Sequence, residues 1–485
     1  MSDDPPETSC SSTAPGQHEP GPSPYAARPW LASYPDGVPA DFAFPEVPLT
    51  RLLDDAAASF PTRTALAFLG LTVTYRELRD ATDHLAAGLA RLGVRRGDRV
   101  SVVLPNCPQH VLTVFAVLRL GGVVVEHDPA STAPELQEQL ADCGARVVVC
   151  LDLACPGVLE VRAATAVQAV VVTSLADDVS GRTRLATRLP LPAVRRPRSR
   201  RKVPVPADPS CVPFLHLVRT ATAARQTPVD PGRDTAVLKY AGGAGPPRPV
   251  ELTHSNLVSS ACMNRLWDTG GTAGTEVTLG LLPLWHAQGM TACLNATVLL
   301  AGTLVLLAEP HVDEVLAAVD RFRPTLLPAL PAVFTALADE APSQRRDLSS
   351  LRVCSSGGER LPPDVQERFE RWSGALLVEG YGSTATSPPT HCTPLSGRRR
   401  PGTVGLPLPG TQCRIVDPTD PARDVPVGEP GQLLVRGPQV PSGAEDGWSP
   451  TGDVAVMDAD GWFSLVRRGR PGVEEPVPRP ALGSS

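Results

Sequence analysis

Apolar and polar residues alternate along the chain in a way that predicts strands separated by helices. The apolar run Arg99 to Leu104 (RVSVVL) predicts a buried strand, and Val123 to Glu126 predicts another. The helical spacing of apolar residues in Tyr75 to Leu92 and in Pro108 to Leu120 predicts helices between such strands. Strands that alternate with helices of this length are typical of parallel sheets with crossover helices, so the fold class is α/β.

The alternation returns later in the chain. Thr235 to Tyr240 predicts a strand, and Thr253 is the N-cap of a helix that reaches about Arg265. No Asp, Glu, Lys or Arg occurs in Val277 to Ala308, which is long enough to cross a bilayer. Pro283 and other polar or glycine positions interrupt it, so a buried loop, helix and strand is favoured over a membrane span.

Changes in this pattern divide the chain into six parts. Two α/β subdomains are separated by a linker or insertion rich in Pro and Arg, and a small β-rich subdomain follows them. The predicted parts are a disordered Pro/Ser-rich segment (1–40), the first α/β subdomain (41–183), the linker (184–227), the second α/β subdomain with the nucleotide motifs (228–400), the β-rich subdomain (401–466) and a disordered tail (467–485).

Composition narrows the classes of function. The net charge of -6 and pI of about 5.9 provide no positive field that would hold a nucleic-acid backbone. The basic run between Arg195 and Lys202 is a nuclear signal or polyanion arm in one interpretation and an exposed linker in the favoured one. Eleven cysteines without metal-site spacing, and a start of the sequence without an apolar leader, predict reduced thiols and a cytoplasmic location.

Four loops carry the candidate chemistry, and each is expected at the end of a predicted strand. Glycines at such strand ends allow backbone amides to approach phosphate oxygens. The loops are AGGAGPPRPVELTH after Tyr240, SSGGERLPP after Cys354, GYGSTATSPP after Glu379 and SPTGD after Trp448. Each alone is compatible with an ordinary turn, whereas their order and spacing together are specific.

The series of motifs resembles the AMP-forming adenylate synthetase superfamily, and most closely its acyl-CoA synthetase (long-chain fatty-acid–CoA ligase) branch. The resemblance runs from about Pro48 to Arg470. It is carried by TYREL (74–78), GDRV (97–100), LPNCPQ (104–109), LPLWHAQG (282–289), LLVEGYGSTATSP (376–388), RPGTVGLPLPGT (400–411), GQLLVRGPQV (431–440) and PTGDV (450–454). It implies the large N-terminal domain of the adenylate-forming fold, with parallel-rich sheets and a small β-rich subdomain at its C-terminal end.

The resemblance also implies a reaction and a site. In this family a carboxylate attacks the α-phosphate of ATP, pyrophosphate leaves, and the acyl-adenylate is passed to the CoA thiol. Adenine would lie between the glycine pair and Tyr381, Asp453 would bind the ribose, and Thr384 would be the catalytic candidate near the α-phosphate. The implied nucleotide-binding residues are Gly242, Gly243, Gly245, Arg248, Gly357, Gly358, Glu359, Gly380, Tyr381, Gly382, Thr384, Asp453 and Arg468, and the implied acyl pocket is Trp285, His286 and Gly289.

Several positions depart from the family pattern. Ala385 replaces the glutamate that binds Mg²⁺ in the family, so no metal ligand is predicted. Prolines 246, 247 and 249 remove amide donors from the phosphate loop, where Arg248 lies near the usual lysine position. Family members have an aspartate at the hinge before the lid, and Arg467 occupies that position in this chain. The C-terminal lid of roughly a hundred residues is expected to be absent, and no lysine follows Lys239.

Three hypotheses about function follow. The favoured one is a protein of this family with impaired or lost catalysis that still binds ATP or AMP, or a carboxylic or fatty acid. The first alternative is an active acyl-CoA ligase with an unusual site or a lid supplied in trans, for which CoA is a co-substrate. The second alternative is a degenerate, truncated product with no selected activity. No nucleic-acid partner is expected in any of them.

Overall fold

The computed structural model describes residues 23–177, 202–241, 248–308, 311–340, 346–441, 445–470 and 473–476. The first half of the chain alternates strands and helices, as the hydrophobic pattern predicts. Its elements are α1 (Thr50–Ser59), β1 (Thr64–Phe68), β2 (Leu71–Thr74), α2 (Tyr75–Arg91), β3 (Arg99–Val103), α3 (Pro108–Arg119), β4 (Val123–Glu126), α4 (Ala133–Cys143), β5 (Val147–Leu151), α5 (Cys155–Val161), β6 (Ala169–Thr173), β7 (Cys211–Pro213), α6 (Phe214–Thr220), β8 (Thr235–Ala241), β9 (Arg248–Thr253) and α7 (His254–Trp267).

The remaining elements include a second series of strands and helices and then a group of strands alone. A π-helix, Gly289–Asn295, runs directly into α8. The elements are β10 (Val277–Gly280), α8 (Ala296–Leu299), β11 (Thr303–Leu306), α9 (Val312–Phe322), β12 (Leu326–Ala329), α10 (Pro331–Glu340), β13 (Val353–Ser356), α11 (Pro363–Ser373), β14 (Leu376–Tyr381), β15 (His391–Cys392), β16 (Leu406–Pro407), β17 (Gln412–Asp417), β18 (Asp420–Asp424), β19 (Gly431–Arg436), β20 (Ser449–Met457), β21 (Phe463–Arg470) and β22 (Val473–Pro476).

Two large sheets are mostly parallel. The seven-stranded sheet has the order β7-β6-β5-β3-β4-β8-β9, and the nine-stranded sheet has the order β16-β15-β14-β13-β12-β10-β11-β1-β2. In the first sheet only the β8–β9 pair is antiparallel, and in the second β10 to β14 are joined by parallel pairs. The third sheet, β18-β17-β19-β20-β21-β22, is antiparallel throughout. The predicted α/β fold with a small β-rich subdomain is confirmed.

The two large sheets do not follow the predicted division at residues 184–227. Hairpin β1–β2 belongs to the sheet formed mainly by the later strands, because β1 pairs in parallel with β11. Strands β8 and β9 join the sheet formed mainly by the earlier strands, because β8 pairs in parallel with β4. Each sheet therefore contains strands from both predicted α/β segments.

Part of the segment predicted to be disordered at the start of the chain is ordered. Trp30 is only 1% exposed, and its ring contacts that of Phe463 at 6.0 Å between centroids. The Tyr25 hydroxyl donates a 3.0 Å hydrogen bond to the carbonyl of Val425. The Pro/Ser-rich composition concealed these two aromatic side chains, which pack against the antiparallel subdomain.

The predicted linker or insertion and the predicted disordered tail also contribute strands. In the linker or insertion, β7 pairs with β6 and is followed by α6, whose Phe214 is fully buried. In the predicted tail, β21 continues to Arg470 and pairs with β22, so disorder was a wrong prediction for this part. Short edge strands such as β7 and β22 contain too few residues to show a hydrophobic period. Most of the basic run lies outside the described residues, and Lys202 pairs with Asp177 at 2.7 Å.

The uncharged stretch Val277 to Ala308 contains the predicted loop, helix and strand, and a strand that was not predicted precedes them. It contains β10, the π-helix with α8, and β11. Within the described ranges, none of the helices combines the length and apolar character that a membrane crossing requires.

Candidate functional site

Two of the predicted nucleotide motifs meet at the ends of neighbouring strands. β13 and β14 are parallel partners, with Ser356 opposite Glu379. The pair Gly357 and Gly358 therefore follows one strand while Tyr381 ends the other. Gly358 has φ +87°, a conformation that side chains rarely adopt, and a Cβ on Gly357 would lie 1.9 Å from the amide nitrogen of Gln288. The backbone conformation thus requires glycine at 358, a side chain at 357 would have to displace the end of the Gln288 side chain, and Glu359 follows them as an exposed side chain.

Asp453 and Tyr381 are joined directly. The Tyr381 hydroxyl donates a 2.6 Å hydrogen bond to Oδ2 of Asp453, and the backbone amide of Gly469 donates a 3.0 Å bond to Oδ1. Both side chains are buried, with exposures of 2% and 7%. Burial raises the pKa of Asp453, although the Tyr381 hydroxyl and Arg468 oppose that shift. The expected adenine and ribose residues therefore form one hydrogen-bonded unit across two sheets.

Arg468 connects this unit to the glycine pair. Its guanidinium donates to the carbonyl of Gly358 and lies over the Tyr381 ring, 5.9 Å from the centroid. Sequence reasoning expected adenine between these same two elements. In the structure these elements lie at the ends of neighbouring strands, and the Arg468 side chain contacts both of them. A base that stacks on Tyr381 would have to displace this guanidinium.

Thr384 lies in a short connecting segment that touches two other parts of the site. It begins a 3-10 helix, Thr384–Thr386, capped by Ser383, and this helix contacts β8 and β20. Gly380 is buried near the end of β14, and a Cβ on Gly382 would lie 2.7 Å from that of Pro388, so the approach of the chain requires glycine there. The tight connection places Thr384 between the strand before the phosphate loop and the strand that carries Asp453.

The position expected to hold a metal carries a methyl group. Ala385 is the middle residue of the 3-10 helix and is partly exposed. Across the described ranges no cluster of three or more His, Cys, Asp or Glu side chains could hold a metal ion. The residues present therefore do not fit Mg²⁺ at this site.

Glu379 is the nearest carboxylate along the chain, and its environment disfavours charge. It is 7% exposed on β14. Burial raises the pKa of Glu379 to about 7, with Arg468 and then Arg360 opposing the shift. The side chain borders a cavity of about 480 Å³ together with Arg399, Arg400 and Glu370.

The phosphate loop differs from its predicted form. The sequence indicated a loop that runs from a strand directly into the helix capped at Thr253. Instead Arg248 begins β9, which pairs antiparallel with β8. Arg248 is exposed and opposite Ala241. The N-cap at Thr253 is confirmed by a 3.2 Å bond from the Asn256 amide. Gly242, Gly243 and Gly245 lie outside the described residues.

Trp285, His286 and Gly289 lie together beside the glycine pair. The rings of Trp285 and His286 are 6.1 Å apart, and a Cβ on Gly289 would lie 2.0 Å from the Pro283 carbonyl oxygen. His286 is an exposed residue, yet desolvation and then the charge of Lys239 lower its pKa to about 4. A neutral His286 at physiological pH follows from these values.

Trp285 also lines an apolar cleft of about 520 Å³ between the two large sheets. Aliphatic side chains form most of its wall, including Leu151, Leu281, Leu307 and Leu330. Leu330 is also the nearest side chain to Gly358, where an added Cβ would meet it at 3.2 Å. The cleft therefore opens beside the glycine pair.

Sequence reasoning missed a buried charged group beneath Trp285. The Lys239 ammonium donates a 2.6 Å bond to the Trp285 carbonyl, and the Glu126 carboxylate bonds the His110 ring at 3.1 Å. Burial lowers the pKa of Lys239 to about 8, although Glu126 opposes the shift. Burial acts to raise the pKa of Glu126, but the interactions with His110 and then Lys239 outweigh it and lower that pKa. The sequence signal that could have revealed this group is a single charged residue within each of two apolar strands, Glu126 in VVVE and Lys239 in TAVLKYA.

Comparison with known proteins assigns the family. The AMP-binding enzyme family matches residues 53–443. The chain belongs to the AMP-binding enzyme family. Its position within this family is indicated by a long-chain-fatty-acid–CoA ligase of Bacillus subtilis, which is 35% identical over 91% of this chain and 80% of that protein. A feruloyl-CoA synthase of Amycolatopsis is 32% identical over 84% of this chain and 76% of its own length.

Solved structures of AMP-binding enzymes share the fold. The crystal structure of a long-chain-fatty-acid-CoA ligase from Archaeoglobus fulgidus has a TM-score of 0.76 at 22% identity and covers 90% of this chain and 86% of that one. The crystal structure of ATP-bound MatB from Rhodopseudomonas palustris has a TM-score of 0.73 at 24% identity, with coverage of 89% and 82%. The predicted superfamily and its acyl-CoA ligase branch are thereby confirmed.

Proposed function

We propose that this AMP-binding protein holds an adenine nucleotide and a fatty acyl group in adjoining subsites, while Mg²⁺-dependent adenylation from ATP is impaired or lost. The observation that carries the proposal is the contrast between two halves of one site. The nucleoside half keeps Tyr381 and Asp453 in contact, whereas Ala385 replaces the metal-binding carboxylate.

The nucleoside half has suitable groups for AMP. The Asp453 carboxylate is the kind of acceptor that pairs with two adjacent ribose hydroxyls. The Tyr381 ring offers a stacking face once Arg468 moves from it. A displaced Arg468 would remain within reach of this region as a donor for the α-phosphate. Thr384, which lies next to strands β8 and β20, is the proposed second contact of that phosphate.

The phosphate half is poorly equipped for ATP. Prolines 246, 247 and 249 carry no N–H, and Arg248 replaces a lysine that would point a compact charge at the phosphates. A methyl group at position 385 supplies no oxygen for a hard cation. This half of the site therefore offers no support for a reaction step that needs Mg²⁺. AMP or an acyl-adenylate is the favoured ligand.

The acyl subsite is assigned to the cleft lined by Trp285. Its aliphatic wall and its volume of about 520 Å³ fit an alkyl chain. The cleft opens at Leu330 beside Gly358, so a carboxylate at its mouth would lie near the α-phosphate of a bound nucleotide. The naming of the Bacillus subtilis relative as a long-chain-fatty-acid–CoA ligase supports a fatty acid as the substrate class.

Isothermal titration with AMP and with ATP, each with and without Mg²⁺, tests the proposal. We expect AMP to bind, and ATP to bind no better when Mg²⁺ is present. Asp453→Asn should weaken AMP binding about tenfold or more, equivalent to at least about 1.4 kcal/mol, and should not weaken 2′,3′-dideoxy-AMP to the same extent. Asp420→Asn, which changes an exposed carboxylate of β18, is the control. Absence of binding by either nucleotide would refute the proposal and favour a degenerate product.

A second titration tests the acyl subsite with dodecanoate. Ala130→Trp places a large ring at the rim of the cleft and should abolish binding, whereas Ala176→Trp at an exposed position should not. Equal affinities of the two variants would remove the cleft from the proposal.

An active ligase is the second candidate. The 35% identity to the Bacillus subtilis ligase over 91% of the chain favours it. Release of pyrophosphate from ATP that depends on added fatty acid, at a rate above that of an Asp453→Asn variant, would establish this candidate and overturn the proposed loss of adenylation.

A further inference from the structure

Three cysteine thiols converge at the outer edge of the seven-stranded sheet, away from the nucleotide and acyl groups. Cys150 lies near the end of β5, Cys155 begins α5, and Cys211 begins the edge strand β7. The Sγ atoms of Cys155 and Cys211 are 3.9 Å apart, and the Cys150 thiol is hydrogen-bonded to Cys155. Ten cysteines lie in the described part of the chain, and all ten are free thiols.

Cys155 is the central member of this group, and its pKa differs from that of an ordinary buried thiol. Cys150 and then Cys211 hydrogen-bond to its sulfur and lower the pKa of Cys155, although burial and the nearby Asp208 and Asp152 oppose the shift. By contrast, burial raises the pKa of the isolated thiols Cys293 and Cys354. Thiolate character is what makes a cysteine react with oxidants.

A route for a small oxidant leads to this group. Cys155 itself is fully buried, but its partner Cys211 is partly exposed and borders a cavity of about 500 Å³. The cavity lies between the end of β6 and residues 202–213. Hydrogen peroxide is small enough to enter such a space and to reach Cys211, whose sulfur lies 3.9 Å from that of Cys155.

We propose that Cys155 and Cys211 form a peroxide-sensitive dithiol that closes reversibly to a disulfide, with Cys150 as the third thiol that supports the reactive sulfur. The Cys155 thiolate attacks one oxygen of hydrogen peroxide, the O–O bond breaks, and the product is a sulfenic acid with hydroxide, which takes up a proton and leaves as water. Cys211 then loses its proton and attacks the sulfenic sulfur, the S–S bond forms, the S–O bond breaks, and a second water leaves. Two thiols are oxidised and one peroxide is reduced.

The two sulfur atoms already lie 3.9 Å apart before any oxidation. A disulfide needs the two sulfur atoms at about 2.05 Å, and rotation of two side chains that start in contact can provide the difference. The product would join the start of α5 to edge strand β7, and so would hold the end of the intervening segment against the sheet. Arg162, which pairs with Asp208 at 3.4 Å, lies on the same edge.

Peptide mapping of the intact native protein tests this inference. The protein is treated with a few equivalents of hydrogen peroxide, free thiols are blocked with N-ethylmaleimide, and the digest is examined by mass spectrometry. We expect a Cys155–Cys211 cross-linked peptide, 2 Da lighter than the two thiol peptides, which dithiothreitol reverses. Cys155 and Cys211 should lose alkylation at least about ten times faster than Cys293 and Cys354.

Two variants identify the order of events. Cys211→Ser should prevent the cross-link and leave a Cys155 sulfenic acid that dimedone traps, whereas Cys354→Ala should form the cross-link at the parent rate. A Cys150–Cys155 disulfide, uniform oxidation of all buried thiols, or oxidation that appears only in urea would overturn the proposal. Because peptide mapping of the parent protein distinguishes these outcomes without any substitution, the test does not depend on whether a variant folds. The nucleotide titration of the parent protein tests the proposed function separately, because its outcome does not depend on whether the cross-link forms.

Discussion

The Tyr381 hydroxyl donates a 2.6 Å hydrogen bond to the Asp453 carboxylate, although 72 residues separate them in the chain. Tyr381 ends a strand of the nine-stranded sheet, and Asp453 lies in the antiparallel sheet. The bond therefore fixes the two sheets relative to each other at the candidate nucleotide site. Together with the Gly469 amide, it gives each Asp453 oxygen one hydrogen-bond donor before a ribose arrives.

Tyr381→Phe removes this donor and keeps the ring. Because the acceptor is a buried carboxylate, we expect the free energy of unfolding to fall by about 1.5–3 kcal/mol, measured by urea denaturation. Tyr34→Phe is the matched control, since the Tyr34 hydroxyl donates at the same 2.6 Å distance to the neutral carbonyl of Pro407. That control should cost about 0.5–1.5 kcal/mol. Equal costs for the two variants would show that the charge of Asp453 adds nothing to the bond.

Ala385→Glu is expected to restore a dependence on magnesium. The new carboxylate supplies the hard oxygen ligand that the 3-10 helix lacks. ATP affinity in the presence of Mg²⁺ should rise about tenfold or more, equivalent to about 1.4 kcal/mol, in isothermal titration. Ala385→Gln has nearly the same volume without the charge and should leave the affinity unchanged. A rise with both variants would indicate a packing effect instead of a metal site.

Glu379→Gln should change how stability depends on pH. Burial raises the pKa of Glu379 to about 7 from 4.5, so the folded chain binds more protons than the unfolded chain between these values. The parent protein therefore loses stability as pH rises from about 4.5 to 7, by on the order of 3 kcal/mol, whereas the variant lacks this loss. Denaturation curves between pH 4.5 and 8 measure it. Glu359→Gln removes an exposed carboxylate nearby and is the control, and parallel curves for Glu379→Gln and the parent would contradict the prediction.

Lys239→Met tests the buried charges beneath Trp285. The substitution removes the ammonium that faces Glu126 and bonds the Trp285 carbonyl, so we expect a loss of about 3–5 kcal/mol in the free energy of unfolding. Adding Glu126→Gln should recover part of it, because the uncompensated carboxylate is then gone. Lys202→Met at the surface should cost less than about 1 kcal/mol. Additive losses in the double variant would mean that Lys239 and Glu126 do not interact.

The hydrophobic pattern predicted the interior elements well because each carries a long period of buried positions. Val123–Glu126 forms with the predicted bounds, and the helices predicted for Tyr75 to Leu92 and Pro108 to Leu120 each end one residue early. Trp30 was missed because its burial depends on Phe463, more than 400 residues away. Edge strand β7 was missed because its three residues follow a Pro/Arg-rich stretch.

Motif order predicted most members of the candidate site but not their mutual contacts. The placement of Gly358 and Tyr381 on neighbouring strands follows from parallel pairing, which the alternation of elements implies. The position of Arg468 between them does not, because it depends on the return of β21 from the antiparallel sheet. The charged pair of Glu126 and Lys239 likewise depends on β4 lying next to β8, which no local pattern encodes.

The exchange of strands between the two large sheets has a consequence for how the chain is made. Hairpin β1–β2 pairs with β11, which is synthesised much later. Residues 64–74 therefore have no parallel partner until the ribosome has added more than 200 further residues. Strand β4 likewise gains β8 only after residue 235 has emerged. Neither sheet can close during synthesis of the first half, and its apolar strand edges stay open to chaperones or to aggregation during that time. Expression of residues 41–183 alone would leave such edges open permanently.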